Sequence, residues 1–267
     1  MDSETLSVTV GCPEMWTPVY TKYQLLFDTA AKSIAFFNKV RVRGPSKGEL
    51  SLVAARMLSA VSNTIGAILI LAFNGYGSEA LKLSRSIYET ELNMLWLKNN
   101  PGDVDDFVEF QAIRRKQAYD EMDEEQKAQV PQHLVEKISA EYLAALPRFS
   151  KDGKDKPRKE WCRRSLHDRA RDVGLMDLHR TYYRAASSVH HGDVIGLLAQ
   201  MDSEGYMDAA PSWSNLDSSL VSGLGSYLRC LNYFDEIEEL GFKDYLEQLN
   251  AEYSTALITL KSDFPRR

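Results

Sequence analysis

SKGELSLVAARMLSAVSNTIGAILILAFNGYGSEALKLSRSIYETELNMLWLKNNPG, residues Ser46–Gly102, carries the pattern that decides the fold. Ser46-Lys47-Gly48-Glu49 has the spacing of a capping box, in which hydroxyl and carboxylate each satisfy an orphan backbone donor of the other. It predicts the start of a long apolar helix that ends near Asn74-Gly75. A further helix is predicted from Ser78 to Asn99, with Pro101-Gly102 closing it. The connection between the two is short, which makes them antiparallel neighbours in an up-and-down arrangement.

Outward from that stretch the same signals recur. Thr17 before Pro18 reads as an N-cap followed by proline at the first helical position, and the helix it opens reaches Val40 before the Arg43-Gly44-Pro45 break. Asp103–Met122 gathers its acids at the positive end of the helix dipole. Beyond a polar stretch, Asp120–Lys127, Pro131 reopens a helix to Leu146, and Pro147–Lys159 reads as an exposed basic loop. Helices are predicted over Cys162–Val173 and Met176–His191, stopped by Gly174 and Gly192. A polar loop, Met201–Ser214, leads to two last helices, Leu216–Leu240 and Phe242–Lys261, parted by Gly241. Alternating strand patterns are nearly absent. The class is therefore all-α, an antiparallel helical bundle with extra helices. We expect residues 1–267 to form a single embellished domain with its core over 17–122 and 162–262 and a basic insertion over 123–160.

Composition narrows the function classes. A chain of 267 residues with 44% hydrophobic and 26% charged residues is ordinary for a globular protein, which excludes wholesale disorder and a disulfide scaffold. Cys12, Cys162 and Cys230 are odd in number and lack zinc-site spacing, so free thiols in a reducing, cytoplasmic compartment are expected. Acids near the N-terminus and the lack of an apolar leader imply no export. The apolar run Ile65–Phe73 is too short to span a bilayer, so no membrane is expected as a partner. No cofactor is implied, and paired Glu-x-x-His motifs of the ferritin-like kind are absent, so no metal is expected either. A net charge of −6 means that any polyanion would be held by a local patch.

Two groups of residues carry chemistry. On a straight helix Arg180, Ser188 and His191 fall within about 40° of Arg184, opposite Tyr182, Ala186 and Val189. An imidazole beside a guanidinium suits proton transfer next to a developing anion. The plain alternative is a solvated face with His191 favouring the negative helix end. His190 borders the apolar side and is expected to be hydrogen-bonded and partly buried. The second group is Arg85 and Glu89, four apart among Leu81, Leu92 and Trp96, which predicts a buried structural ion pair, with Tyr88 placed to donate its hydroxyl.

Ser84-Arg85-Ser86-Ile87-Tyr88-Glu89, Leu95-Trp96-Leu97 and the later Tyr183, Ser187 and His190-His191-Gly192 resemble a bacterial family of helical proteins of unknown function. Arg184 followed by His190 or His191 also resembles the signature of the HEPN superfamily, an arginine four to six residues before a histidine near a helix end. That resemblance implies a HEPN-like core and a metal-independent ribonuclease of toxin or phage-defence type, with a composite site in a homodimer. Ala185 departs from it, because active members commonly carry a polar residue there. On this reading Arg184, His190 and His191 are catalytic with Ser187 and Ser188 beside them, and RNA is the partner. Arg180, Lys154, Lys156, Arg158, Lys159, Arg163 and Arg164 would guide its backbone. The competing expectation is a non-catalytic helical sensor or interaction module with a protein partner.

Overall fold

The structure, a computed structural model, describes residues 11–40, 48–151, 154–198, 201 and 211–262. In chain order its elements are α1 (Pro13–Val40), α2 (Glu49–Phe73), α3 (Gly77–Asn99), α4 (Val104–Asp120), α5 (Glu124–Gln129), α6 (Gln132–Phe149), β1 (Ser150–Lys151), β2 (Lys154–Pro157), α7 (Leu166–Asp172) and α8 (Met176–Leu178). A π-helical turn (His179–Tyr183), α9 (Arg184–His191), α10 (Val194–Leu198), α11 (Leu216–Glu238) and α12 (Lys243–Ser262) follow. The protein is all-α apart from the short hairpin. Its chain divides into two compact units, residues 1–98 with 170–267, and residues 99–169.

In the first unit α1 and α2 are antiparallel. The N-terminus of α1 meets the C-terminus of α2, where Cys12 N and Trp16 Nε1 both donate to Asn74 Oδ1 at 2.8 Å. That tertiary cap explains why α1 begins at Pro13 rather than at the Thr17-Pro18 signal. Pro18 lies inside the helix just past its first turn, where its missing N–H takes the helical donor from a single carbonyl, that of Glu14. A kink follows at Tyr23 (φ −110, ψ 19). Helix α2 has Gly48 as its N-cap with no side-chain bond; Ser46, the expected cap, lies outside the described residues.

Helix α2 is also antiparallel to α11, as Ser51 on Glu238 and Ser62 on Tyr227 show. Its Leu58, Ile65 and Ile68 are wholly buried, each stabilising the fold by about 1.5–3 kcal/mol. By length and composition alone α2 would also suit a membrane. In contrast, α3 and α11 run parallel and in register. Ser84 meets Ser222, Glu91 meets Arg229 and Lys98 meets Glu236. The rungs recur every seven residues, the spacing that keeps one face of a helix turned to its neighbour.

In the second unit α4 packs along α6. The polar stretch after Asp120, for which no helix was expected, holds the short helix α5, because Asp123 and Gln126 form a reciprocal capping box. Helix α6 runs on through Pro147 to Phe149, and the expected basic loop is instead the antiparallel hairpin β1–β2.

Candidate functional site

The site is built where α3 meets the segment from α8 to α10. The helix expected over Met176–His191 is not straight. Arg184 N reaches back to His179 O, five residues away, which makes the intervening turn a π turn with more residues than an α turn. His179 and Tyr183 therefore stack on each other at 4.7 Å and both face Tyr88. His179 is buried, and its Nδ1 lies 3.3 Å from the Tyr88 hydroxyl. Downstream, Ala186 and Val189 are buried with Leu81 of α3.

Gly192, at φ 61 and ψ 31, ends α9 in the left-handed region. Gly192 N bonds Val189 O and Asp193 N bonds Ser188 O, the paired closure of a Schellman motif. Asp193 then caps α10 by accepting from Gly196 N at 2.9 Å. This bond holds the Asp193 carboxyl below its ordinary value. Gly196 is required because a Cβ there would lie 2.1 Å from Ser188 O.

Four side chains from these elements form one network. Arg85 Nε donates to Glu89 Oε1 at 2.9 Å, and the Tyr183 hydroxyl donates to the same oxygen at 3.1 Å. Arg85 Nη1 lies 3.1 Å from His191 Nε2. A guanidinium can only donate, so Nε2 accepts and its lone pair is occupied. The Arg85 guanidinium also sits 5.4 Å from the Tyr183 ring centroid. Burial pushes the Tyr183 phenol up, and Glu89 adds to the effect, so the hydroxyl stays a donor.

Sequence reasoning placed these residues unevenly. Arg85 and Glu89 do pair, but their side chains keep 18% and 37% of their exposure, so the pair is half-open rather than buried. Tyr183 supplies the hydroxyl expected of Tyr88. His190 is exposed rather than partly buried, its ring centroid 5.1 Å from that of His191; the buried, hydrogen-bonded histidine is His179. Arg180 and Arg184 are exposed, and Ser187 and Ser188 are half-buried. Arg184 makes no hydrogen bond or ion pair among the described residues. The π turn sits between Arg180 and Arg184, so the even spacing of a straight helix does not relate them.

The basic stretch is partly spent within its own unit. Arg158 bonds Asp106 and Trp161 O and lies over the Phe149 ring, and Arg148 pairs with Asp106 and Glu109. Lys156, Lys159, Arg163 and Arg164 are exposed; the Lys154 side chain lies outside the described residues. Among the described residues no group of three His, Cys, Asp or Glu side chains could hold a metal ion.

Missed by the sequence reading was Glu91–Arg229. Glu91 is fully buried and takes two bonds from Arg229, at 2.5 and 3.1 Å. Burial alone would lower the Arg229 pKa, but Glu91 holds it above the ordinary value. The available signal was weak: Glu91 stands seven residues after Ser84 and seven before Lys98 on one helix face, flanked by the equally polar Glu89, Thr90 and Asn93.

The protein is thus an all-α bundle bearing an Arg–Glu–Tyr–His network on the surface of one unit. Residues 51–208, more than half of the chain, match a family of unknown function (DUF5677), and the chain belongs to that family. Nothing matches among curated proteins or among solved structures. All four members of the network lie within the matched range, whereas Arg229 lies beyond it.

Proposed function

We propose that this protein is a HEPN-like, metal-independent endoribonuclease of the cytoplasm, acting as a toxin or phage-defence effector. The observation that carries the reading is the bond between Arg85 Nη1 and His191 Nε2 on an open surface, with the exposed Arg184 on the helix of His191 making no ion pair among the described residues. A phosphodiester is a stronger partner for a guanidinium than a neutral imidazole is. An RNA phosphate engaged by Arg85 and Arg184 would release the His191 lone pair. His191 Nε2 then takes the proton of the 2′-hydroxyl, whose oxygen forms a bond to the adjacent phosphorus. The bond from phosphorus to the 5′-oxygen breaks, and protonated His190 gives that oxygen its proton. The products are a 2′,3′-cyclic phosphate and a 5′-hydroxyl end.

The test is incubation of the protein with mixed cellular RNA in EDTA, beside His191→Ala and Arg184→Ala. Cleavage leaving cyclic phosphate ends is expected, falling about 10²–10⁴-fold without His191. Undiminished cleavage by both variants would overturn the site, and intact RNA would overturn the activity.

A second reading, a non-catalytic sensor or interaction module, is favoured by α10. Its Val194, Ile195 and Leu198 keep 72%, 70% and 60% of their exposure beside the network. Homodimerisation fits either reading and is measured by the molar mass in solution.

A further inference from the structure

Helix α2 keeps one long face turned away from the bundle. Arg56 is its last charged residue and Glu79 the next in the chain, so residues 57–78 carry no charge. Only 39% of the apolar stretch that gives α2 its membrane-like composition is buried within the chain. The outward positions are Leu52, Arg56, Ser59, Asn63, Gly66 and Ile70, spaced alternately by four and three. At 100° per residue all six lie within a sector of about 80°. A stripe of this spacing is the seam along which one helix packs on another.

Large apolar side chains stand at its two ends, Leu52 at 38% exposure and Ile70 at 67%. Between them, Ser59 gives its hydroxyl proton back to Ala55 O at 2.9 Å, and Asn63 makes no side-chain hydrogen bond among the described residues. A Cβ at Gly66 would meet nothing within 4 Å. Glycine inside a helix costs about 1 kcal/mol relative to alanine, and no described residue uses the space it leaves. The stripe also matches itself when a second copy is laid on it in the opposite direction. A two-fold axis at the level of Val61 sets Leu52 against the partner's Ile70, Arg56 against the partner's Gly66 and Ser59 against the partner's Asn63. Each rung fits. Apolar end meets apolar end, and the longest side chain crosses the residue that has none, its guanidinium reaching out to water. The Ser59 oxygen accepts from the partner's Asn63 amide. No charge faces a like charge. An isologous contact has to be self-complementary in this way, residue i meeting j while j meets i.

We infer that the outer face of α2 is an interface with a second copy of this chain, the two α2 helices lying antiparallel about that axis. Asn63 fixes the register, since a polar residue in an otherwise uncharged seam is satisfied in one alignment and stranded in others. A helix of 25 residues is about 37 Å long and about 10 Å across. The face therefore offers on the order of 400 Å² per copy, about half of a standard interface. The association is accordingly concentration-dependent rather than obligate. None of the six residues belongs to the Arg85–His191 network, so the pairing does not rest on the ribonuclease reading.

Sedimentation equilibrium of the full chain tests it first. A monomer–dimer equilibrium with a Kd on the order of 100 µM or tighter is expected. Ile70→Lys sets a cation against the partner's Leu52. Because the parent side chain is already largely in water, the unfolding midpoint is expected to stay unchanged while the dimer Kd rises at least tenfold. Cross-linking reads the register. Leu52→Cys and Ile70→Cys are prepared separately, then exposed to oxidised glutathione alone and as a mixture. Two copies of either variant hold their new thiols about 27 Å apart along the helix axis, too far for a disulfide. In the mixture positions 52 and 70 adjoin, and the three native thiols are buried. A covalent dimer confined to the mixture is expected. A monomer even at ten times the stated concentration, association undiminished by Ile70→Lys, or a single variant that cross-links as well as the mixture would each overturn the pairing. A monomer that instead sediments with neutral phosphatidylcholine vesicles, and loses this in Ile70→Lys, would give the face to a bilayer and overturn it as well.

Discussion

Helix α3 carries two Arg–Glu pairs, and they differ in almost every physical respect. Glu91 is buried, its two oxygens are bonded by one guanidinium, and its partner comes from α11, 138 residues away. Glu89 is half-exposed, and its Oε1 is shared between Arg85 and Tyr183 while Arg85 also reaches His191. A buried, geometrically complete pair is costly to break and is useless to a ligand that needs its carboxylate. A pair open to water, with one donor divided among several acceptors, costs little to rearrange. The same residue types thus hold the bundle together on one face of a helix and offer an exchangeable guanidinium on another.

The largest expected effect tests the buried member. Arg229→Ala leaves a desolvated carboxylate without a partner, and chemical denaturation is expected to show a loss of about 3–5 kcal/mol. The double variant Glu91→Leu with Arg229→Met should recover most of that loss, since an apolar pair can replace a buried ion pair. If the single variant costs no more than a surface pair, the contrast between the two faces of α3 fails.

Next in size is Gly196→Ala. The added carbon meets the backbone carbonyl of Ser188, which cannot yield as a side chain would, so about 1–3 kcal/mol is expected in local opening of α10. Faster amide exchange confined to α10 and the end of α9 would report it.

Arg85→Ala sharpens the comparison from the open side. Glu89 remains in contact with water, so a stability loss below about 1 kcal/mol is expected in the same denaturation assay, and the proposed RNA cleavage is expected to fall with it. A loss equal to that of Arg229→Ala would make the Arg85 pair structural, as its spacing alone suggested.

The smallest effect is a pH dependence at Asp193. Its folded pKa is depressed, mainly by the bond from Gly196 N. Its contribution is therefore complete above the ordinary carboxylate value and is lost as pH falls through the lowered one. Exchange of the Gly196 amide, corrected for its intrinsic rate, is expected to quicken over that acidic window and to stay flat above it. Asp193→Asn should remove most of that dependence.

Much of this architecture was legible locally. The long apolar helix expected from Ser46–Glu49 to Asn74-Gly75 and the one expected over Ser78–Asn99 are α2 and α3, and Gly192 predicted the end of α9. The Arg85–Glu89 pair followed from a four-residue spacing within one helix. What failed were local signals overruled by distant ones. The Thr17-Pro18 start lost to a cap supplied by Asn74. The wheel drawn for Met176–His191 assumed one turn length throughout, and the π turn altered the phase of the residues before Arg184, among them the buried His179; His190, in the regular last turn of α9, faces water.

By itself, then, the sequence determined which segments are helical and which residues share a helix face, because hydrogen bonding and side-chain spacing within a helix are set over a few residues. Only the tertiary structure decided the partners: Tyr183 and His191 for the Arg85–Glu89 pair, and Arg229 for Glu91. Those choices depend on how one helix is rotated and aligned against another. That alignment is the outcome of packing the whole bundle at once, and no local spacing encodes it.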